Sequence, residues 1–161
     1  MIIPDTVFKG INLLGFDTSP FIYFVERHPA YLPMVREIFR GIDEGLFKGF
    51  ASVVTLTEVL VRPRLNGETA LENEYRHILQ NSRNFELIPI DVEIADLASE
   101  LRSRYNLKTP DALQIAAVLS IGCEGFVTND KKLKQVDDLQ IIVLDDYLAK
   151  TSENSKETYK T

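Results

Sequence analysis

The stretch INLLGFDTSP, residues 11–20, combines two different structural signals. Its first part is a short apolar run of the kind that forms a buried strand. Its second part offers Ser19 as a helix cap and places Pro20 at the first helical position, where proline is favoured. Asp17 therefore lies at a junction between a predicted strand and a predicted helix.

The same alternation recurs along the rest of the chain. Helices are predicted over 31–44, 68–80, 92–105 and 111–122, and further strands over 50–54, 85–90, 126–128 and 139–144. Thr55 and Glu58 have the spacing of a capping box, so a helix is expected to begin there, and Pro63 is expected to interrupt it. Strands that alternate with helices predict an α/β fold of three layers, with a mostly parallel central sheet.

The length and composition fit one globular domain, which we expect over residues 1–148, followed by a flexible polar tail over 149–161. The 161 residues are 45% hydrophobic and carry a net charge of −6, which argues against a broad basic surface that coats nucleic acid. The single cysteine, Cys123, cannot form an internal disulfide and fits the cytoplasm. Because no apolar stretch reaches the ~20 residues that span a bilayer, we expect no contact with a membrane.

Four acidic residues lie at the boundaries of predicted elements. Asp17, Glu58 and Asp130 follow predicted strands, and Asp111 begins a helix. Singly, each is explained by local structure, as a turn residue, a capping-box residue, a partner of the helix dipole or a cap. Jointly they indicate more, because the carboxyl ends of parallel strands share the edge of the sheet where ligands bind.

A cluster of carboxylates predicts a particular kind of ligand. The negative charges repel one another unless a cation neutralises them. Oxygen ligands without histidine or cysteine select a hard ion, so we expect Mg²⁺ or Mn²⁺. His28 and His77 lie on separate elements without the spacing of metal ligands, and Cys123 is expected to be a buried structural thiol. The glycine-rich, serine-elbow and zinc-protease motifs are missing from the sequence.

Four short motifs, in this order, resemble the PIN-domain ribonucleases, a family that includes the VapC toxins of prokaryotic toxin–antitoxin pairs. The resemblance spans about Leu13 to Leu144. The motifs are Asp17-Thr18-Ser19 after a hydrophobic strand, Thr57-Glu58-Val59-Leu60, the octapeptide TPDALQIA over 109–116, and Val127-Thr128-Asn129-Asp130.

The resemblance implies a PIN-like fold and a catalytic, metal-binding site made of Asp17, Glu58, Asp111 and Asp130. Residues that hydrogen-bond and orient these carboxylates would be Ser19, Thr128 and Asn129. In many relatives the last motif continues to an Asp-Phe pair where this chain has Lys132 and Leu133, so the fourth acid is assigned to Asp130.

The implied activity is a Mg²⁺- or Mn²⁺-dependent endoribonuclease that cleaves single-stranded or loop RNA, as the toxin of a pair. RNA contacts are expected from Arg62, Arg64 and Lys131, and further basic residues near the site are Lys108, Lys132 and Lys134. An antitoxin is the expected partner, laying a helix in a groove and placing a charged side chain near Asp17 and Asp111. The apolar helices over 31–44 and 111–122 predict a homodimer.

Three other interpretations compete with this one. A PIN-like module could keep its acids and bind protein or RNA without cutting it. A phosphatase of the haloacid dehalogenase type also has an aspartate after its first strand, but requires a second one where this chain has Ser19. A receiver domain requires early paired acids and a late lysine after a strand, and the sequence lacks both.

Overall fold

Five strands form one sheet in the computed structural model, which describes residues 2–148. The expected polar tail over 149–161 lies outside the described residues. The strands are β1 (Leu13–Phe16), β2 (Lys48–Ser52), β3 (Phe85–Ile88), β4 (Gly125–Thr128) and β5 (Gln140–Val143). The α-helices are α1 (Ser19–Val25), α2 (Leu32–Asp43), α3 (Val53–Leu65), α4 (Thr69–Asn81), α5 (Val92–Tyr105) and α6 (Thr109–Ser120). Two short 3-10 helices cover Asp5–Phe8 and Lys131–Gln135.

All strand pairings in the sheet are parallel, in the order β3-β2-β1-β4-β5. The chain therefore leaves the central strand β1 toward one edge of the sheet and later returns to build the other half. The crevice between β1 and β4 is the point where this order reverses, the usual ligand position in open α/β sheets. The expected α/β class with a parallel sheet and helices on both faces is confirmed.

Consecutive strand residues pack into two separate cores, because strand side chains alternate between the faces of the sheet. Phe16 and Val127 belong to the core under α1, α2, α3 and α4. Phe126, one position before Val127, belongs to the core under α5 and α6. The helix predicted over 111–122 corresponds to α6, and it is apolar because it is buried along most of its length between the sheet and α5.

Three local predictions were wrong. Thr55 and Glu58 do not form a capping box, because α3 begins at Val53, and Ser52 caps it by accepting a hydrogen bond from the Val54 amide. Thr18, not Ser19, is the cap position of α1. Helix α3 also continues through Pro63 to Leu65, since a proline in the last turn removes only one hydrogen bond before the helix ends.

None of the helices within residues 2–148 could cross a membrane.

A close approach of α6 to the sheet depends on Gly15 of β1. A Cβ atom at this position would lie 2.8 Å from the Val118 Cβ of α6, closer than real contacts of this kind. We predict that Gly15→Ala lowers the free energy of unfolding by about 1–3 kcal/mol through overpacking. Urea denaturation of Gly15→Ala, Val118→Ala and the double variant tests this. The double variant should lose less than the sum of the two single losses, whereas additive losses would contradict the contact.

Candidate active site

Two of the acids follow neighbouring strands at the reversal point of the sheet. In the β1–β4 register Phe16 lies opposite Val127, and the Asp17 amide donates a hydrogen bond of 2.9 Å to the Val127 carbonyl. Asp17 thus leaves the end of β1 beside Thr128, the last residue of β4. Asp130 follows two residues later, and it caps the second 3-10 helix by accepting a hydrogen bond from the Lys132 amide.

The Asp17 carboxylate is held at both oxygens. The Thr128 hydroxyl donates to Oδ2 at 2.7 Å, and the Thr18 amide donates to Oδ1 at 2.8 Å. The same Thr128 oxygen accepts a hydrogen bond of 3.0 Å from the amide of Asp130. One buried threonine therefore orients Asp17 and fixes the start of the segment that carries Asp130.

Glu58 reaches the same region from the second turn of α3. Its Oε1 accepts hydrogen bonds from the Thr18 hydroxyl at 2.9 Å and from the Gln114 side-chain amide at 2.7 Å. Gln114 also donates to the Thr18 oxygen at 2.8 Å. Thr55, fully buried, completes this group within 3.3 Å of the Gln114 nitrogen. We call Thr18, Thr55, Gln114 and Thr128 the polar floor of the site.

Gln114 is the functional candidate that sequence reasoning left without a role. It is 1% exposed and lies on α6 among Ala112, Ile115 and Ala116, which are fully buried. A buried amide must be hydrogen-bonded, so a single glutamine in an apolar helix is itself a signal of a polar partner elsewhere. The partner could not be named from the sequence, because Glu58 is 56 residues away.

The electrostatics of the site show that the acids share one environment. Burial raises the pKa of Asp17 most, and the charges of Glu58 and Asp130 raise it further, against the hydrogen bonds from Thr128 and Thr18. Burial also raises the pKa of Asp111, helped by the charges of Asp17 and Asp130 and opposed by Lys108. Asp17 is therefore in electrostatic range of each of the other three predicted acids, and Asp111 is also in range of Asp130.

The predicted supporting residues have different surroundings. Thr128 contacts Asp17, as described above. The Ser19 hydroxyl is buried and has no hydrogen-bond partner among residues 2–148. The Asn129 side chain donates to the Tyr23 hydroxyl and accepts from the Asp145 amide, so it bonds to none of the four acids.

Of the three basic residues predicted to contact RNA, one lines the cavity that holds Asp111 and Asp130. Lys131 lines a cavity with Asp111 and Asp130, but forms an ion pair of 3.2 Å with Asp145. Arg64, in the last turn of α3, forms an ion pair with Glu72 of α4. Arg62 is exposed in the same turn of α3. Neither arginine lines this cavity.

The two histidines and the cysteine have the structural surroundings expected for them. His28 accepts a hydrogen bond from the Ala30 amide at Nδ1, and His77 lies within hydrogen-bond distance of Asn81 on the same helix. Cys123 is buried, which raises the pKa of its thiol to about 12. A thiol with so high a pKa is a poor nucleophile and a poor metal ligand at neutral pH.

The donor atoms at the site are all oxygens, the set that suits Mg²⁺ or Mn²⁺. Within residues 2–148, however, no three acidic, histidine or cysteine side chains are close enough to form a ready-made metal-binding group. The desolvated Asp17 carboxylate is a group whose charge a cation would compensate, and the buried Ser19 hydroxyl two residues later has no hydrogen-bond partner among residues 2–148. The residues present therefore fit a hard cation by their chemistry.

Comparisons with known proteins agree with this fold. No curated protein sequence matches the chain. Among solved structures it is similar to a toxin–antitoxin complex from Klebsiella pneumoniae, with 23% identity and a TM-score of 0.62 over 81% of this chain and 97% of the other. It is also similar to VapBC2 from Rickettsia felis bound to promoter DNA, with 16% identity and a TM-score of 0.63 over 81% and 98%.

A third similar structure is the Mycobacterium tuberculosis toxin VapC20, described as cleaving the sarcin-ricin loop, with 13% identity and a TM-score of 0.61 over 79% and 98%. At these identities the likeness concerns the fold. The sequence profile of the PIN domain matches residues 16–139, which is most of the chain and includes all four acids. The chain therefore belongs to the PIN domain family.

Proposed function

We propose that this protein is a divalent-metal-dependent endoribonuclease, the toxin of a toxin–antitoxin pair. The observation that carries the proposal is the desolvated Asp17 carboxylate, bonded at both oxygens and placed within electrostatic range of three further acids on a PIN fold. Burying a carboxylate among like charges is costly, and a cation would remove that cost. Structural acids do not need such an arrangement.

The residues of the site would divide the work between binding and positioning. Asp17, Glu58, Asp111 and Asp130 would supply the oxygen ligands. When bound, Mg²⁺ or Mn²⁺ supplies an activated water and charge stabilisation for the phosphate oxygens. Thr128 holds Asp17 in one orientation, while Thr18 and Gln114 hold one oxygen of Glu58 and leave the other without a hydrogen-bond partner among residues 2–148.

Single-stranded or loop RNA fits this site better than duplex DNA does. Glu58 is exposed, and Asp111 and Asp130 line a surface cavity. A small acidic protein gains more from accessible bases and 2′-hydroxyls than from a uniform duplex. The toxin–antitoxin complexes among the similar structures support an antitoxin as partner. A homodimer and a cytoplasmic location remain part of the proposal.

The second candidate is a PIN-like module that binds RNA or protein without cutting. The lack of a ready-made metal group within residues 2–148 favours it. The two candidates differ in whether Asp17 is needed for a chemical step.

Asp17→Asn keeps the shape of the side chain and removes one charge. RNA cleavage in Mg²⁺ or Mn²⁺ should fall by several orders of magnitude, and chelator should abolish it in the unchanged protein. In chelator, the melting temperature of Asp17→Asn should match or exceed that of the unchanged protein, because the loss of a desolvated charge outweighs one weakened hydrogen bond.

Asp96→Asn is the matched control, since Asp96 is exposed on α5 and should leave cleavage unchanged. Cleavage retained by Asp17→Asn, or by the unchanged protein in chelator, would refute the enzyme proposal. No cleavage by the unchanged protein of any RNA that it binds would favour the binding module.

Gln114→Met keeps the side chain's length and removes both N–H donors. The Thr18 and Glu58 oxygens lose a buried partner, so the free energy of unfolding should fall by about 1–3 kcal/mol. The rate of RNA cleavage should also fall, even at assay temperatures well below the melting temperature, because Glu58 loses one of the hydrogen bonds that orient it. Urea denaturation and cleavage assays at one low temperature separate the effects. Full activity at reduced stability would show that Gln114 is only structural.

A further inference from the structure

The cavity beside two of the acids is locally basic in an acidic protein. Its volume is about 780 Å³, and it opens between the end of α5, the start of α6 and the second 3-10 helix. Its lining includes Asp111 and Asp130 together with four cations: Arg102, Lys108, Lys131 and Lys132. A chain with a net charge of −6 thus has an excess of positive charge beside its acidic site.

The ion pairs of the protein separate these cations into two groups. Lys131 is neutralised by Asp145 at 3.2 Å. Arg102, Lys108 and Lys132 have no ion-pair partner within residues 2–148. Arg102 donates through Nε to the Leu107 carbonyl at 3.0 Å, which fixes its place in the wall. The unpaired charges are therefore the ones free to bind an anion.

Two of these cations flank the acids at close sequence distance. Lys108 immediately precedes α6 and acts electrostatically on Asp111. Lys132 lies on the 3-10 helix that Asp130 caps, and its own amide bonds to that carboxylate. Both side chains are exposed. A chain of phosphates that crosses Asp111 and Asp130 would meet one lysine on each side of the cavity.

We propose that this cavity is the RNA-binding cleft, and that Lys108 and Lys132 bind backbone phosphates next to the cleaved bond. The assignment rests on the proposed function and specifies the path that the RNA strand takes across the protein surface. The RNA leaves the acids toward the α5–α6 loop and the second 3-10 helix, rather than along α3 past Arg62 and Arg64. Contacts to phosphate hold the substrate in register without reading its sequence.

The test measures the salt dependence of RNA binding. Fluorescence anisotropy of a labelled, unstructured RNA is recorded in Mg²⁺ at several KCl concentrations, with Asp17→Asn protein so that the RNA stays intact. Adding Lys108→Ala and Lys132→Ala should reduce the slope of log affinity against log salt by about 1.4, since each phosphate contact on a single strand contributes about 0.7.

A matched control keeps the change in net charge and moves its position. Lys9 and Lys48 are exposed, lie before β1 and at the start of β2, and do not line the cavity. Lys9→Ala with Lys48→Ala in the same background should leave the slope nearly unchanged.

Three results would overturn the cleft assignment. They are an unchanged slope for the Lys108 and Lys132 variant, an equal loss in the control variant, and a loss seen only for Arg62→Ala with Arg64→Ala. An equal loss of duplex DNA affinity would overturn the assignment to single-stranded RNA. Cleavage by the otherwise unchanged protein distinguishes the two levels: if it cuts RNA in Mg²⁺ while the slope is unaffected, the proposed function holds and only the cleft is wrong.

Discussion

The desolvation of the Asp17 carboxylate is the constraint on which the rest of the site depends. The register of β1 and β4 fixes the position of this residue, and Thr128 and the Thr18 amide compensate its charge only in part, since its pKa remains raised. An ordinary turn residue would face solvent at no such cost. The protein instead holds a costly charge at the one crevice of the sheet where ligands are expected.

The polar floor explains how separate helices serve one site. Thr18 belongs to the start of α1, Thr55 to α3, Gln114 to α6 and Thr128 to β4. Hydrogen bonds among Thr18, Thr55 and Gln114 link the three helices, and Thr128 links β4 to Asp17, in a region where an unpaired polar atom would be destabilising. We therefore expect activity and stability to change together at Gln114 and at Thr128. We expect them to change separately at the exposed lysines of the proposed cleft, whose side chains contribute charge and little packing.

Sequence reasoning predicted what depends on local pattern. The alternation of apolar strands and amphipathic helices was enough for the parallel α/β class, and the position of Asp17 after a strand was enough to place it at the sheet edge. The contacts between Gln114 and Glu58 and between Thr128 and Asp17 were out of reach. They depend on the strand register and on the close packing of α6 over Gly15, which no single segment encodes. The helix through Pro63 was missed because this proline lies in the last turn, where it removes only one hydrogen bond before the helix ends.

The central claim is that the acids around Asp17 bind a hard divalent cation, and direct titration with Mn²⁺ tests it without any RNA. Isothermal calorimetry or Mn²⁺ paramagnetic resonance should show saturable binding to the unchanged protein near neutral pH, accompanied by a higher melting temperature. Asp17→Asn should lose both effects, and Asp96→Asn should keep them. The absence of saturable binding to the unchanged protein, or equal binding to Asp17→Asn, would contradict the account.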